Sequence, residues 1–207
     1  MVAAPESPAK LVGQPIKRRE DPRLITGQGS YLDDITLPRL SQAAILRSPY
    51  GHAKINSIDT SVAAAMPGVL GVFTGNDFLD ANPLPCAWQA GRVENHVNTP
   101  RVLAVDEVHF IGDAVAAVVA ETLEQAVDAL SAIVVDYTPL GVVVDGRKAL
   151  DASAPQLHEN APKNIVLEWD AGKDMATVDA ALADADVRLS QSIVNQRLIP
   201  TPIETRG

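Results

Sequence analysis

Short runs of apolar or alternating residues predict most of the strands in this chain. Alternation of apolar and polar residues is typical of strands with one buried face. It occurs in residues 53–59 (AKINSID), whereas short runs rich in apolar residues predict strands at 42–48 (QAAILRS), 69–73 (VLGVF), 133–137 (IVVDY) and 164–169 (NIVLEW). Residues 114–120 (AVAAVVA) are apolar throughout, which predicts a buried central strand. Residues 187–194 (VRLSQSIV) alternate imperfectly and predict a closing strand.

Apolar residues at helical spacing predict three helices. Over residues 122–133, the side chains of Leu123, Ala126, Val127 and Leu130 share one face, and Thr122 with Gln125 forms a capping box. Residues 60–66 predict a short helix ended by Pro-Gly, and residues 177–185 predict an alanine-rich one. Strands and helices are mixed with irregular connections, so the pattern favours the α+β class.

Composition narrows the classes of function. The chain has 207 residues and a net charge of −9, and an acidic chain is a poor general nucleic-acid binder. Residues 16–23 (IKRREDPR) form the one local basic cluster, either a solvated face or an arm that docks on an acidic surface. With 4% aromatic residues, the core must consist of Ala, Val, Leu and Ile.

Cys86 is the only cysteine, which excludes an intrachain disulfide and a multi-cysteine metal site in this chain. No apolar run is long enough to span a bilayer. A cytoplasmic location is therefore the expectation. Cys86 is interpreted as a packed small residue, and a catalytic thiol is the alternative.

Candidate chemistry in the residues themselves is sparse. Thr26-Gly27-Gln28-Gly29 is not followed by a helical pattern, so a turn is favoured over a nucleotide site. The four histidines have no metal-binding spacing, although a chelate assembled in space stays open; they are His52, His96, His109 and His158. The paired carboxylates are interpreted as solvated, namely Asp33-Asp34, Asp106-Glu107, and Asp184 with Asp186. Trp88 and Trp169 are interpreted as core residues rather than as platforms for a ring ligand.

Several stretches, in order along the chain, resemble one enzyme family. They are DPRLITGQGSY (21–31), LRSPYGHAKI (46–55), IGDAVA (111–116), VDYTPL (135–140) and NQRLIPTPIETRG (195–207). Together they resemble the start of the molybdenum-binding large chain of the xanthine dehydrogenase/aldehyde oxidase family, in its aerobic carbon monoxide dehydrogenase-like branch. The second stretch fits a family element of the form RSP-x-x-HA-x-I, and the last resembles NQRL-x-P-x-P-x-EPRG.

The start of the chain is rich in Ala, Pro and Ser, which predicts a flexible arm over residues 1–21. The resemblance implies an α/β hammerhead domain over residues 22–145. Residues 146–207 would be a linker and the first strand of an incomplete molybdopterin-binding domain, so that the chain would be truncated or completed by another polypeptide. Complete enzymes of the family carry molybdopterin with molybdenum, 2Fe-2S clusters and FAD, which implies the remaining molybdenum segment and iron–sulfur and FAD subunits or domains as partners.

The family's cofactor-binding motifs lie beyond the last matching stretch, and Thr205 replaces a usual proline. No catalytic, cofactor-binding or metal-binding residue is therefore assigned, and Glu204 is not the family's catalytic glutamate. The resemblance implies a structural segment of a molybdenum hydroxylase that is not catalytic alone. The alternative is a free-standing binding or carrier module of hammerhead type.

Overall fold

The computed structural model describes residues 11–86, 95–96, 98–169, 172, 174–196 and 198–204. In these residues the strands are β1 (Gln42–Arg47), β2 (Ala53–Asp59), β3 (Val69–Thr74), β4 (Glu107–Val108), β5 (Ala114–Ala120) and β6 (Val134–Pro139). The helices are α1 (Asp21–Ile25), α2 (Ser61–Ala64), α3 (Leu123–Leu130) and α4 (Met175–Ala183). None of these helices is both long and apolar enough to cross a bilayer. The α+β prediction is confirmed.

Two antiparallel three-stranded sheets organise the larger unit, residues 39–191. The first sheet has the order β1-β5-β3 and the second has the order β4-β2-β6. The apolar run at β5 is the central strand of the first sheet, as its sequence predicts. Among the described residues, no two strands that follow each other in sequence pair with one another. Successive strands instead alternate between the two sheets.

The core is built largely of alanine and valine, in two clusters. The first lies between the β1-β5-β3 sheet and helices α2 and α3; its buried members are Ala44, Ala63, Ala116, Val118, Ala120, Ala126, Ala129 and Ile133. The second cluster contains Ala53, Ala104, Val108 and Val115. Val115 and Ala116 are adjacent on β5 but belong to different clusters, because successive strand residues point to opposite faces.

Helix α3 keeps its predicted capping box but buries a slightly different face. Thr122 N–H donates to Gln125 Oε1 (3.0 Å), and Gln125 N–H donates to Thr122 Oγ1 (3.3 Å). Ala126 and Ala129 are fully buried, whereas Leu123 and Val127 are half exposed, contrary to the predicted face. The small alanines allow the helix to approach the sheet closely.

Gly68, at the turn into β3, supports the same cap. Its φ is +79°, and a Cβ there would overlap the Gln125 carboxamide, which the capping box holds in place. The turn predicted from Pro67-Gly68 is therefore a position that requires glycine.

Two predicted strands are absent from the described residues. Over 164–169, the structure has a 3₁₀ turn at Pro162–Asn164 and a single bridge between Asn95 and Leu167. Lys163 and Asn164 have left-handed φ values of 56° and 59°, and the Asn164 side chain bonds Leu157 N–H (2.8 Å), so the segment folds as a loop.

The predicted closing strand at 187–194 is also wrong, since no strand pairs with it in the described part of the chain. Its apolar side chains are exposed; Leu189 is 92% exposed and Ile193 is 81% exposed. Alternation alone cannot form a strand without a neighbour that completes its hydrogen bonds.

The smaller unit comprises residues 1–38 and 192–207, of which the structure describes 11–38, 192–196 and 198–204. Helix α1, which the sequence does not predict, begins with Asp21 and Pro22 in its first turn. Arg18 Nε lies 3.4 Å from Asp21 Oδ1 in an exposed pair inside the basic cluster. A 3₁₀ turn at Leu32–Asp34 follows, closed by Tyr31 N–H donating to Asp34 Oδ2 (2.8 Å).

Candidate functional site

An open cleft of about 900 Å³ lies beside β4 in the larger unit. Its lining includes the histidines His52, His109 and His158, the acidic residues Glu107 and Asp113, and Arg101. They come from three stretches that are far apart in sequence, around residues 52, 101–113 and 158. The cleft is therefore the place where the fold concentrates titratable side chains.

Strand register brings two of the histidines together. β2 and β4 are antiparallel, with Ala53 opposite Val108 and Lys54 opposite Glu107. The same register, extended by one residue, places His52 opposite His109. Glu107 of β4 and His109, the residue after β4, are two residues apart and so lie on the same side of the extended chain, while Val108 between them is buried in the core.

The imidazole rings form a row in the cleft. The centroids of His52 and His109 are 5.4 Å apart with an interplanar angle of 27°. Those of His109 and His158 are 4.4 Å apart at 22°. His158 comes from the loop between β6 and α4, so three separate segments of the unit supply the row.

His52 is held in one orientation by the backbone. Its side chain is 6% exposed, and its Nδ1 lies 2.7 Å from the carbonyl oxygen of Gly141. A carbonyl only accepts hydrogen bonds, so Nδ1 carries the proton and donates. Nε2 of the same ring is also buried, and it has no hydrogen-bond partner.

Glu107 lies between two imidazole nitrogens. Its Oε2 is 3.7 Å from His52 Nε2 and also 3.7 Å from His109 Nε2. One potential ligand atom from each of the three residues lies within 4.8 Å of the other two. The three side chains thus converge on one point.

Backbone hydrogen bonds join the two segments that carry His52 and His109. Ser48 N–H donates to Asp113 O (2.8 Å), and Gly112 N–H donates to Ser48 O (2.9 Å). The Asp113 carboxylate in turn accepts the N–H of His109 (3.1 Å). Ser48 and Asp113 are both buried, and through its carboxylate Asp113 holds the backbone of His109.

The environment favours the neutral form of two rings. Burial, and then the neighbouring His52, lower the pKa of His109, although Glu107 and Asp113 oppose this. Burial, and then His109 and His52, lower the pKa of His158. Neutral imidazoles offer lone pairs, which protonated ones do not.

The other sequence candidates lie elsewhere. Cys86 is half-buried and, like His96, is not among the lining residues of the cleft. The backbone N–H of His96 donates to Val166 O (2.9 Å). Trp169 is 62% exposed rather than buried in the core, and Trp88 lies outside the described residues.

Of the paired carboxylates in the sequence, one pair lies in the cleft and the others lie elsewhere. Asp106 and Glu107 line the cleft. Asp34 closes a turn, and Asp184 follows α4. The sequence spacing of the histidines contains no sign of the cluster, because it arises only when β2 pairs with β4. The one sequence signal was local: Glu107 and His109 flank the apolar Val108, which is the spacing of two side chains on the same side of an extended chain.

Residues 26–141 match a family described as aldehyde oxidase and xanthine dehydrogenase, a/b hammerhead domain. The chain is 38% identical over 204 residues to the carbon monoxide dehydrogenase large chain of Hydrogenophaga pseudoflava, covering 91% of this chain and 24% of that protein. It is 37% identical over 214 residues to the corresponding large chain of Afipia carboxidovorans, covering 97% and 26%.

Among solved structures, the fold is similar to that of a Cu,Mo-CO dehydrogenase in its carbon monoxide reduced state. The TM-score is 0.66 and the identity 36%, over 84% of this chain and 23% of that one. The chain thus spans about a quarter of the length of the relatives it matches. It belongs to the aldehyde oxidase and xanthine dehydrogenase family, and residues 26–141 are its α/β hammerhead domain.

Proposed function

We propose that this chain is the N-terminal structural segment of a molybdenum hydroxylase large subunit, and that it is not catalytic alone. The observation that carries the proposal is the extent of the match. Nearly the whole chain aligns with carbon monoxide dehydrogenase large chains, yet it spans only about a quarter of them. The role of such a segment is to brace the part that holds the cofactor.

The exposed apolar residues of 187–194 support this role. Val187, Leu189, Ile193 and Val194 are all at least 74% exposed, in a segment that pairs with no strand among the described residues. Exposed apolar side chains in series are typical of a surface that another part of the protein covers. The remaining molybdenum-domain segment is the partner we propose for them.

The histidine cleft is poorly suited to molybdopterin. That cofactor carries a phosphate, whereas the cleft is lined by Asp106, Glu107, Asp113 and Glu159. Arg101 is the one lysine or arginine among its lining residues. Like charges repel strongly at short range. No step of molybdenum chemistry is therefore assigned to the cleft.

The cofactors and partners of the whole enzyme follow from the family. We propose that molybdopterin with molybdenum binds to the remaining large-subunit segment, and that 2Fe-2S and FAD subunits or domains accept the electrons. We also propose a cytoplasmic location, which rests on the absence of any possible intrachain disulfide in a chain with one cysteine.

The test compares the chain alone with the chain joined to the remaining large-subunit segment, both purified from cells that make molybdopterin. Bound molybdenum is measured by mass spectrometry, and bound pterin by its fluorescence after oxidation. We expect neither in the 207-residue chain and both in the joined protein. Oxidation of carbon monoxide, xanthine and aldehydes then assigns the substrate class.

Two outcomes would contradict the proposal. Molybdopterin retained by the 207-residue chain alone would show that it binds the cofactor itself. A joined protein that folds but gains no molybdenum would instead favour a free-standing binding or carrier module.

A further inference from the structure

The strongest unexplained feature is the Nε2 atom of His52. The atom is buried and lacks a hydrogen-bond partner, while Nδ1 of the same ring donates to Gly141 O at 2.7 Å. Burying an unsatisfied polar atom is costly. The arrangement of a ring that donates from one nitrogen to a carbonyl and leaves the other free is typical of metal-binding histidines.

The neighbouring groups complete a set of donors. His109 Nε2 and His52 Nε2 are each 3.7 Å from the same Glu107 oxygen. In a tetrahedral zinc site, bonds of about 2.0–2.2 Å place neighbouring ligand atoms about 3.3 Å apart. The three side chains need to approach one another by only a few tenths of an ångström at these two contacts.

The charge and access of the cleft suit a cation. Asp106, Asp113 and Glu159 line the same cleft as the three donors. Their negative charge favours a cation, and the open side of the cleft leaves room for water or a small anion as a fourth ligand. Imidazole and carboxylate donors together suit zinc and similar divalent transition metals.

We propose that His52, Glu107 and His109 form a binding site for a divalent transition-metal ion of the zinc class, with one coordination position open to the cleft. The site is separate from the molybdenum centre proposed for the rest of the enzyme. It depends only on residues of this chain, so it stands or fails independently of the proposed function.

Metal binding is measured on the 207-residue chain after treatment with a chelator and dialysis. Zinc is titrated in competition with a chromophoric chelator, and Co²⁺ absorption reports the coordination geometry. We expect one zinc ion per chain and a visible Co²⁺ spectrum of tetrahedral type. Separately, NMR of the histidine side chains should show a zinc-dependent shift of His52 Nε2.

The variants E107Q and H109N test the donors. Each keeps the approximate size of the side chain, so the cleft is retained, and circular dichroism of the metal-free proteins checks the fold. We expect each to weaken zinc binding by at least about tenfold, because even partners outside the ligand set typically contribute that much. The control E121Q changes an exposed glutamate that is not among the cleft residues and should bind zinc like the parent.

Binding that is absent from the parent chain would overturn the proposal. So would zinc affinity that is equal in the parent and in both folded variants, because the ion would then be held elsewhere. A shift of His158 nitrogen resonances in place of those of His52 would also contradict the ligand set.

Discussion

Asp174 illustrates how a single side chain is tuned by its local contacts. It caps α4: its Oδ1 accepts Thr177 N–H (2.9 Å) and its Oδ2 accepts the Thr177 hydroxyl (2.7 Å). The Thr177 hydroxyl, and then the backbone N–H of Thr177, lower the pKa of Asp174 below its ordinary value of 3.8. Both bonds favour the charged carboxylate.

We predict that T177V raises the pKa of Asp174 toward 3.8, since it removes the hydroxyl donor. In the parent, the carboxylate stabilises α4 fully above pH 3.8, and this contribution is lost as the pH falls through the lowered folded pKa. The side-chain carboxyl carbon of Asp174, followed by NMR during acid titration, measures the shift. T177S keeps the hydroxyl and is the control; a pKa equal in both variants would contradict the assignment.

At the scale of elements, α3 shows how residue size sets the distance between layers. Ala126 and Ala129 are fully buried, within the cluster that also contains Ala116 and Val118 of β5. Interiors are close-packed, so a site shaped for a methyl group has no space for a longer side chain.

We predict that A126L lowers the free energy of unfolding by about 1–3 kcal/mol, because the added carbons force α3 away from the sheet. Urea denaturation measures the change. D128L places the same side chain on the exposed side of the same helix and should change stability by less than about 0.5 kcal/mol. Equal losses in the two variants would contradict the packing explanation, because the loss would then not depend on burial.

Much of the element pattern could be predicted from the sequence. β2 and β5 were predicted with their observed bounds, and the capping box of α3 is a local contact between residues three apart. The two strand predictions that were wrong, at 164–169 and 187–194, have different physical causes. Asn164 anchors a loop through its side chain, and residues 187–194 have no partner strand in the part of the chain that the structure describes.

At the scale of the whole molecule, residues 187–196 differ from the sheets. Their described residues are exposed and belong to no strand, whereas β5 is hydrogen-bonded on both sides. Proteases require a segment of chain that can adapt to their active site, so an unpaired exposed segment is cut first.

We predict that proteinase K cleaves the isolated chain within residues 187–196 before it cleaves within the sheets, as identified by mass spectrometry of the early fragments. Joining the chain to the remaining large-subunit segment should protect these residues. First cleavage inside β5 or β1 would contradict the prediction. Persistence of residues 187–196 in the isolated chain would favour the free-standing module.

The sequence by itself determined the α+β class, most of the elements and the family, because these depend on local periodicity, caps and motifs read in order. Only the tertiary structure decided that His52, Glu107 and His109 converge. Their meeting results from the pairing of β2 with β4, two segments some fifty residues apart. Such contacts depend on register between distant strands, which no local pattern specifies.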